Sequence, residues 1–259
     1  MRKDRNIKDR NIIECIEKAF AILKELSLNG ILTFKQLEEK TLLPKSTLHR
    51  YLKTLKYLKV VEETEKGKYT LGEQILTLKA MWINEHPIIR IVKEEMQKIS
   101  EKTGETSHLA ILSEDKRNII YLHTVLGNRA LSMQTPIGKS APSYCTALGK
   151  ALLSQLPEKT VIEAFSGMKL EAYTPNTITD LESLLKELRK IRQEGIAIDN
   201  EEYEKDVICC AVPVKNLEGK TVAAISISGF KSWMVDQIEE VKRILIETSN
   251  SLQSRLISY

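Results

Sequence analysis

Residues Leu43–Leu58 read LPKSTLHRYLKTLKYL, and from Lys45 to Lys59 five Lys or Arg residues stand with no Asp or Glu among them. At about 100° per residue, Leu48, Tyr51, Leu52, Leu55 and Leu58 fall on one side of a helix, and Ser46, His49, Arg50 and Lys53 on the other. One side suits a core and the other suits a polyanion. Pro44 opens this helix, because its fixed φ and missing N–H are tolerated in a first turn.

The flanking segments say what kind of helix it is. Thr33 followed by Gln36 has the capping-box pattern, and Leu37 gives the short helix that follows an apolar side before it runs out near Thr41. Further upstream, Ile12, Ile16, Ala19, Phe20, Leu23 and Leu26 recur at helical spacing and stop at Asn29-Gly30. Downstream, VVEETEKGKYTL holds two β-prone runs around Lys66-Gly67, which reads as a hairpin. Helix, turn of about four residues, helix and hairpin is a winged helix-turn-helix, whose second helix enters the DNA major groove. A solvated amphipathic helix would carry the same charge. The short donors Ser46 and Thr47, the capped helix before them and the Lys-Gly-Lys hairpin after them decide for DNA. Lys45, Arg50, Lys53, Lys66 and Lys68 are candidates for phosphate contacts, and Ser46, Thr47, His49 and Arg50 for base edges; Lys35 completes the DNA-binding set.

Charge along the chain agrees. Residues 1–79 carry 17 Lys+Arg against 11 Asp+Glu, a balance of +6, while the remaining 180 carry 22 against 24, or −2. At 259 residues, 42% hydrophobic and 29% charged, the chain has the composition of a soluble protein of one large or two smaller domains. No stretch approaches the ~20 apolar residues of a membrane span, and MRKDRNIKDRN lacks a signal peptide's apolar core. The expected compartment is the cytoplasm. Cys15, Cys145, Cys209 and Cys210 form no CxxC pair, and His108 and His123 have no supporting ligand spacing, so neither disulfide nor metal site is expected.

Residues 73–85, EQILTLKAMWINE, place Ile75, Leu78 and Trp82 at helical spacing, and read as a linker helix before a boundary near Pro87. Beyond it, ETSHLAILS, NIIYLHTV and RALSMQT are strand-like, as are AIDNE, VICCAVPVK and KTVAAISISGF. Leu181–Glu194 and Val235–Ile257 are amphipathic helices, and Gly195 sits at a helix C-terminus. The fold class is α+β, with a largely antiparallel sheet in the C-terminal part.

Several of these segments carry a family resemblance. LPKSTLHRYLKTL resembles the recognition-helix motif of the IclR family of bacterial transcriptional regulators, and YTLGEQILTL its wing-to-linker segment. YCTALGKALLSQLP and GIAIDNEEYEKDVICCAVPVKNLEGKTVAAISISG resemble its C-terminal signatures, so the likeness covers nearly the whole chain. The chain departs from the pattern at Leu42 and Asp206, where the family usually has glycine. A leucine at positive φ would be strained, so the turn at Leu42 is expected to be built differently.

The resemblance implies a winged helix-turn-helix over residues 1–72, a linker helix over 73–86 that helps pair DNA-binding domains, and a GAF-like effector-binding domain over 87–259. It implies an effector site at the backbone N–H groups of Ala147 and Leu148, with Asp199, Cys209, Ser226 and Ser228 as polar contacts and Val207 as an apolar wall. The implied partners are a pseudo-palindromic double-stranded DNA operator, a small carboxylate effector and further copies of the chain, as a dimer or tetramer. No cofactor and no membrane are implied. TPIGKSAPSYCTALGK with its Tyr144, ETSHLAIL and DNEE resemble the branch of the family that governs 2-keto-3-deoxygluconate catabolism, which implies a repressor released by a keto sugar acid. Two alternatives are an activator of aromatic-acid catabolism in the same family, and a thiol enzyme using Cys145 or Cys209.

Overall fold

The computed structural model describes residues 13–129 and 132–256. Its contacts divide into two compact units, one ending at Asn84 and the other starting at Glu85.

The first unit contains α1 (Glu14–Asn29), β1 (Leu32–Thr33), α2 (Phe34–Thr41), α3 (Lys45–Tyr57), β2 (Val61–Glu65), β3 (Lys68–Leu71) and all but the last residue of α4 (Glu73–Glu85). Strand β3 is central in a small antiparallel sheet, with β1 on one side and β2 on the other. The capping box is present: Gln36 N–H donates to Thr33 Oγ1 at 3.3 Å and Thr33 N–H donates to Gln36 Oε1 at 2.8 Å. Ile22, Leu26, Leu37, Leu48, Leu52, Leu55, Val61 and Tyr69 form the core.

Three readings of this unit are corrected. On α1 the buried stripe runs through Ala19, Ile22, Leu23 and Leu26, one position round from the expected one, so Phe20 is 67% exposed and Ile16 also faces out; Ile12 lies outside the described residues. Helix α3 begins at Lys45 with Pro44 as its N-cap, and it ends before Leu58, which is therefore off the wheel and 52% exposed. Leu42 does adopt the left-handed conformation, φ 56° and ψ 24°, and its N–H donates to Glu38 O at 2.9 Å. The turn is thus built as a glycine would build it, at a cost of about 1–2 kcal/mol for a leucine. Its side chain, 72% exposed, gains little packing in return. Asp206 is likewise left-handed at φ 62°, a conformation that aspartate's short polar side chain tolerates better.

The second unit opens with α5 (Pro87–Thr103), whose Ile88, Val92, Met96 and Ile99 recur at helical spacing and are buried. There follow β4 (Thr106–Leu112), β5 (Asn118–Val125), β6 (Ser140–Pro142), α6 (Ala147–Leu153), α7 (Glu158–Phe165), α8 (Leu181–Glu194), β7 (Ala197–Asn200), β8 (Val207–Lys215), β9 (Thr221–Phe230) and α9 (Lys231–Gln253). The strands form one antiparallel sheet in the order β6-β5-β4-β9-β8-β7. Helices α5 and α9 pack on one face; α6 packs on the other, with α8 against it and α7 against α8.

Strand register explains why α6 can sit so close. Ala110, Ala224, Ala211 and Ala197 point to its face and are wholly or almost wholly buried in one cluster with Ala147, Leu148 and Ala151 of the helix. Small side chains there let the helix approach the sheet. Of the strand expected at RALSMQT, Ala130 and Leu131 lie outside the described residues, and Ser132–Thr135 form no strand; the short strand comes later, at Ser140–Pro142. The described chain there meets the β5 edge where Thr124 Oγ1 donates to Thr135 O, and backbone pairing begins beyond it, where Gly138 N–H donates to Tyr121 O and Tyr121 N–H to Lys139 O. Helix α9 starts at Lys231, four residues before the expected start, and ends at Gln253; Ile257 lies outside the described residues.

Candidate functional site

Beyond the alanine rows the same sheet face turns polar. Across the ladder, Ser228 of β9 pairs with Cys209 of β8, which pairs with Asp199 of β7; one step along, Ser226 pairs with His108 of β4. Because side chains alternate along a strand, all five point to the face that α6 covers. A bulge between Leu109 and Ala110 brings Tyr121 of β5 opposite Ala110, and so onto that face too.

A cavity enclosing about 560 Å³ of empty space, part of it open to solvent, lies between these side chains and the first turn of α6. All seven residues of the effector set line it: Ala147, Leu148, Asp199, Val207, Cys209, Ser226 and Ser228. Thr146 caps α6, its Oγ1 accepting from Gly149 N–H at 3.3 Å, which leaves the Ala147 and Leu148 N–H groups at the cavity without intrahelical acceptors. Such groups suit a carboxylate.

Charge in the cavity is set by burial. Asp199 is almost fully buried, and burial pushes its carboxyl up to about 7, although Oδ1 accepts from Glu202 N–H at 2.7 Å. Burial drives His108 down to about 4 and raises the Cys209 thiol and the Tyr121 phenol well above their usual ranges. The wall is therefore mostly neutral hydrogen-bonding groups. Ser226 Oγ is buried and has no hydrogen-bond partner among the described residues; His108 Nε2 is buried too and meets none in ordinary geometry, although the Met133 backbone acts on the imidazole as a hydrogen-bond acceptor. Behind the wall, Lys150 of α6 is fully buried; its Nζ donates to Ile198 O at 2.6 Å and to Glu202 Oε1, with Glu187 Oε1 3.7 Å away. Burial also pushes the Cys145 thiol far up, which removes the thiolate that a Cys145 nucleophile would need.

The Asp199 shift makes a prediction. Its folded value, about 7, lies above the ordinary 3.8, so the stability it contributes is complete below about pH 4 and is lost as pH rises through about 7. A shift of this size corresponds to on the order of 4 kcal/mol. Asp199→Asn keeps the carbonyl acceptor for Glu202 N–H without the charge. Urea midpoints of both proteins between pH 4 and 8 should diverge with rising pH, the variant becoming relatively more stable; parallel curves would contradict the burial argument.

In the first unit, Ser46, His49, Arg50 and Lys53 of α3 are exposed on one face together with Lys45, as the wheel requires. Thr47 is half-buried, at the edge of a groove that also takes in Phe20 and Leu78. Lys66 and Lys68 flank the hairpin turn, where Gly67 has φ 79° and its N–H donates to Glu63 Oε1 at 2.8 Å. Lys68 is paired with Glu65 at 2.8 Å and Lys35 lies 3.9 Å from Glu39, so both would have to exchange a partner to meet a phosphate. Lys45, Arg50, Lys53 and Lys66 have no ion pair among the described residues.

The structure adds lining residues that sequence reading did not assign: His108, Tyr121, Met133, Thr135, Lys139, Thr146, Tyr203 and Glu204. The pairing of β4 with β9, which sets His108 opposite Ser226, has no local sequence signal. Tyr144 lies behind the site, its Oη donating to Glu171 O at 2.7 Å, and His123 is not in the lining.

Comparison with known proteins accords with both units. Residues 80–254 match the bacterial transcriptional regulator IclR C-terminal family, and residues 15–65 the IclR helix-turn-helix domain. The HTH-type transcriptional regulator KdgR of Escherichia coli strain K12 is 35% identical over 222 residues, 85% of this chain and 84% of that one. XynR of the same organism is 32% identical over 250 residues, 96% of this chain and 98% of its own. The crystal structure of the Thermotoga maritima IclR superposes with a TM-score of 0.72 at 31% identity, covering 94% of this chain and 98% of that one. With the helix-turn-helix unit and the α+β unit both matched, the chain belongs to the IclR family of DNA-binding transcriptional regulators.

Proposed function

We propose that this chain is a cytoplasmic repressor of sugar-acid catabolism genes, released from its operator when a small keto sugar acid such as 2-keto-3-deoxygluconate fills the C-terminal cavity. The observation that carries the reading is the convergence of all seven expected effector residues on one cavity in which Ser226 Oγ has no partner. The effector's carboxylate sits at the Ala147 and Leu148 N–H groups, while Asp199, Ser226 and Ser228 take its hydroxyls and Val207 its carbon chain. The resemblance of the TPIGKSAPSYCTALGK and DNEE segments to the keto sugar acid branch supports this choice.

Residues 1–72 act as the DNA-binding domain, 73–86 as a linker and 87–259 as the effector domain. Lys45, Arg50, Lys53 and Lys66, with Lys35 and Lys68, meet phosphates, while Ser46, Thr47, His49 and Arg50 face base edges of a pseudo-palindromic site. Two recognition helices are needed for such a site. The apolar groove that holds Ile16, Phe20, Leu23, Leu58 and Leu78, several of them exposed, supports self-association. The effector acts through its differential affinity for free and DNA-bound states, a coupling of about 1–3 kcal/mol in typical regulators.

The test is thermal stabilisation of wild type and Asp199→Ala by a panel of keto acids, sugar acids and aromatic acids. At 100-fold over Kd a ligand stabilises by about 2.7 kcal/mol, which should raise Tm by several degrees for the keto sugar acid in wild type alone. A response only to aromatic acids would replace this reading with the activator of aromatic-acid catabolism.

A further inference from the structure

We propose that His108 is a specificity-determining residue of the cavity, its imidazole reading a chain hydroxyl of the effector. This rests on the reading of the cavity as the effector site. His108 is buried on the cavity face of β4, opposite Ser226, with Nδ1 3.4 Å from Ser228 Oγ. Tyr121 meets the imidazole edge-on, with ring centroids 5.4 Å apart, which fixes the orientation of the ring. Ser226 Oγ and His108 Nε2, neither with a partner in ordinary hydrogen-bond geometry among the described residues, thus belong to cavity-lining residues paired directly across the ladder, and the backbone of Met133, which also lines the cavity, is the group acting on the imidazole.

Buried polar atoms without partners are uncommon, and in a cavity wall they mark where polar atoms of a ligand go. A neutral imidazole offers one donor and one acceptor, and burial keeps this one neutral near pH 7. A hydroxyl, which donates and accepts, matches both that imidazole and Ser226. A second carboxylate does not match, because the other ionisable groups of the wall include Asp199 and Glu204, and the lysine in the lining, Lys139, is solvent-exposed. An unsubstituted aromatic ring would leave both atoms unpaired. The geometry thus selects a monocarboxylate bearing a hydroxyl on its chain.

Calorimetric titration of the full chain with 2-keto-3-deoxygluconate and with pyruvate separates the possibilities. Pyruvate carries the carboxylate and keto oxygen without a chain hydroxyl. His108→Phe should weaken 2-keto-3-deoxygluconate binding by roughly 10–100-fold and leave pyruvate binding unchanged, which also reports that the cavity is intact. His108→Gln, with a donor and an acceptor on a side chain of similar reach, should recover part of the loss. Equal losses for both probes, or no loss for the hydroxylated one, would overturn the assignment of His108 while leaving the effector cavity standing. Wild type that binds neither probe would overturn the cavity reading itself, and this inference with it.

Discussion

Arg50→Ala is expected to weaken operator binding strongly while leaving effector affinity unchanged. Arg50 is exposed on the basic face of α3, beside Ser46, His49 and Lys53, and no acidic side chain of the described residues holds it. A lost arginine contact to a base edge costs about 1–3 kcal/mol. On the proposed pseudo-palindromic site, with two recognition helices, the loss doubles to a weakening of about 30-fold to 10⁴-fold. Fluorescence anisotropy with a DNA fragment selected by the wild-type protein from a random pool measures one side, and calorimetry with the effector the other. Equal loss of both activities would mean that the variant is misfolded or that the two tasks are not divided between the units.

Lys150→Met should strongly destabilise the C-terminal unit. The lysine is fully buried, and its ammonium answers the buried Glu202 carboxylate, whose pKa burial raises and Lys150 partly restores. Removing one partner of a buried pair costs about 3–5 kcal/mol, because the other charge is left uncompensated. For a unit of this size that is a fall in Tm of about 6–20 °C. Adding Glu202→Gln to Lys150→Met should recover part of it. A single variant within about 1 kcal/mol of wild type would show that the pair is better solvated than its burial implies.

Much of this was readable from residues alone, and the failures share a cause. The capping box at Thr33 and Gln36, the wing hairpin, α8 and the two long strands β8 and β9 follow from local patterns, and local geometry decides them. Phe20 and Leu58 were misjudged because a helical wheel knows neither where the helix stops nor which of two adjoining apolar stripes meets the core. Ser132–Thr135 depart from the strand expected there because β-prone composition does not show where along the β5 edge backbone pairing begins, and it begins only at Gly138 and Lys139 among the described residues. Leu42 taught the opposite lesson: tertiary context held a leucine in a backbone conformation that its own preference opposes. Within the cavity, the effector residues came from the family resemblance, whereas His108 and Tyr121 arrive through strand pairing and a bulge.

Helix α6 is short, and every one of its residues is buried. A Cβ on Gly149 would lie 2.2 Å from Ser143 O, so backbone runs against backbone there, while Lys150 is tied to the Ile198 carbonyl of β7 at 2.6 Å. In mechanical terms the helix has almost no slack. A close-packed interior is stiff, and here its stiffness is concentrated between the cavity and the strand that carries Asp199. Whatever sits at the first turn of α6 therefore rests against a stop with little give, and Lys150 ties that stop to the neighbouring strand and to the Glu202 turn, like a bracket bolted at two points.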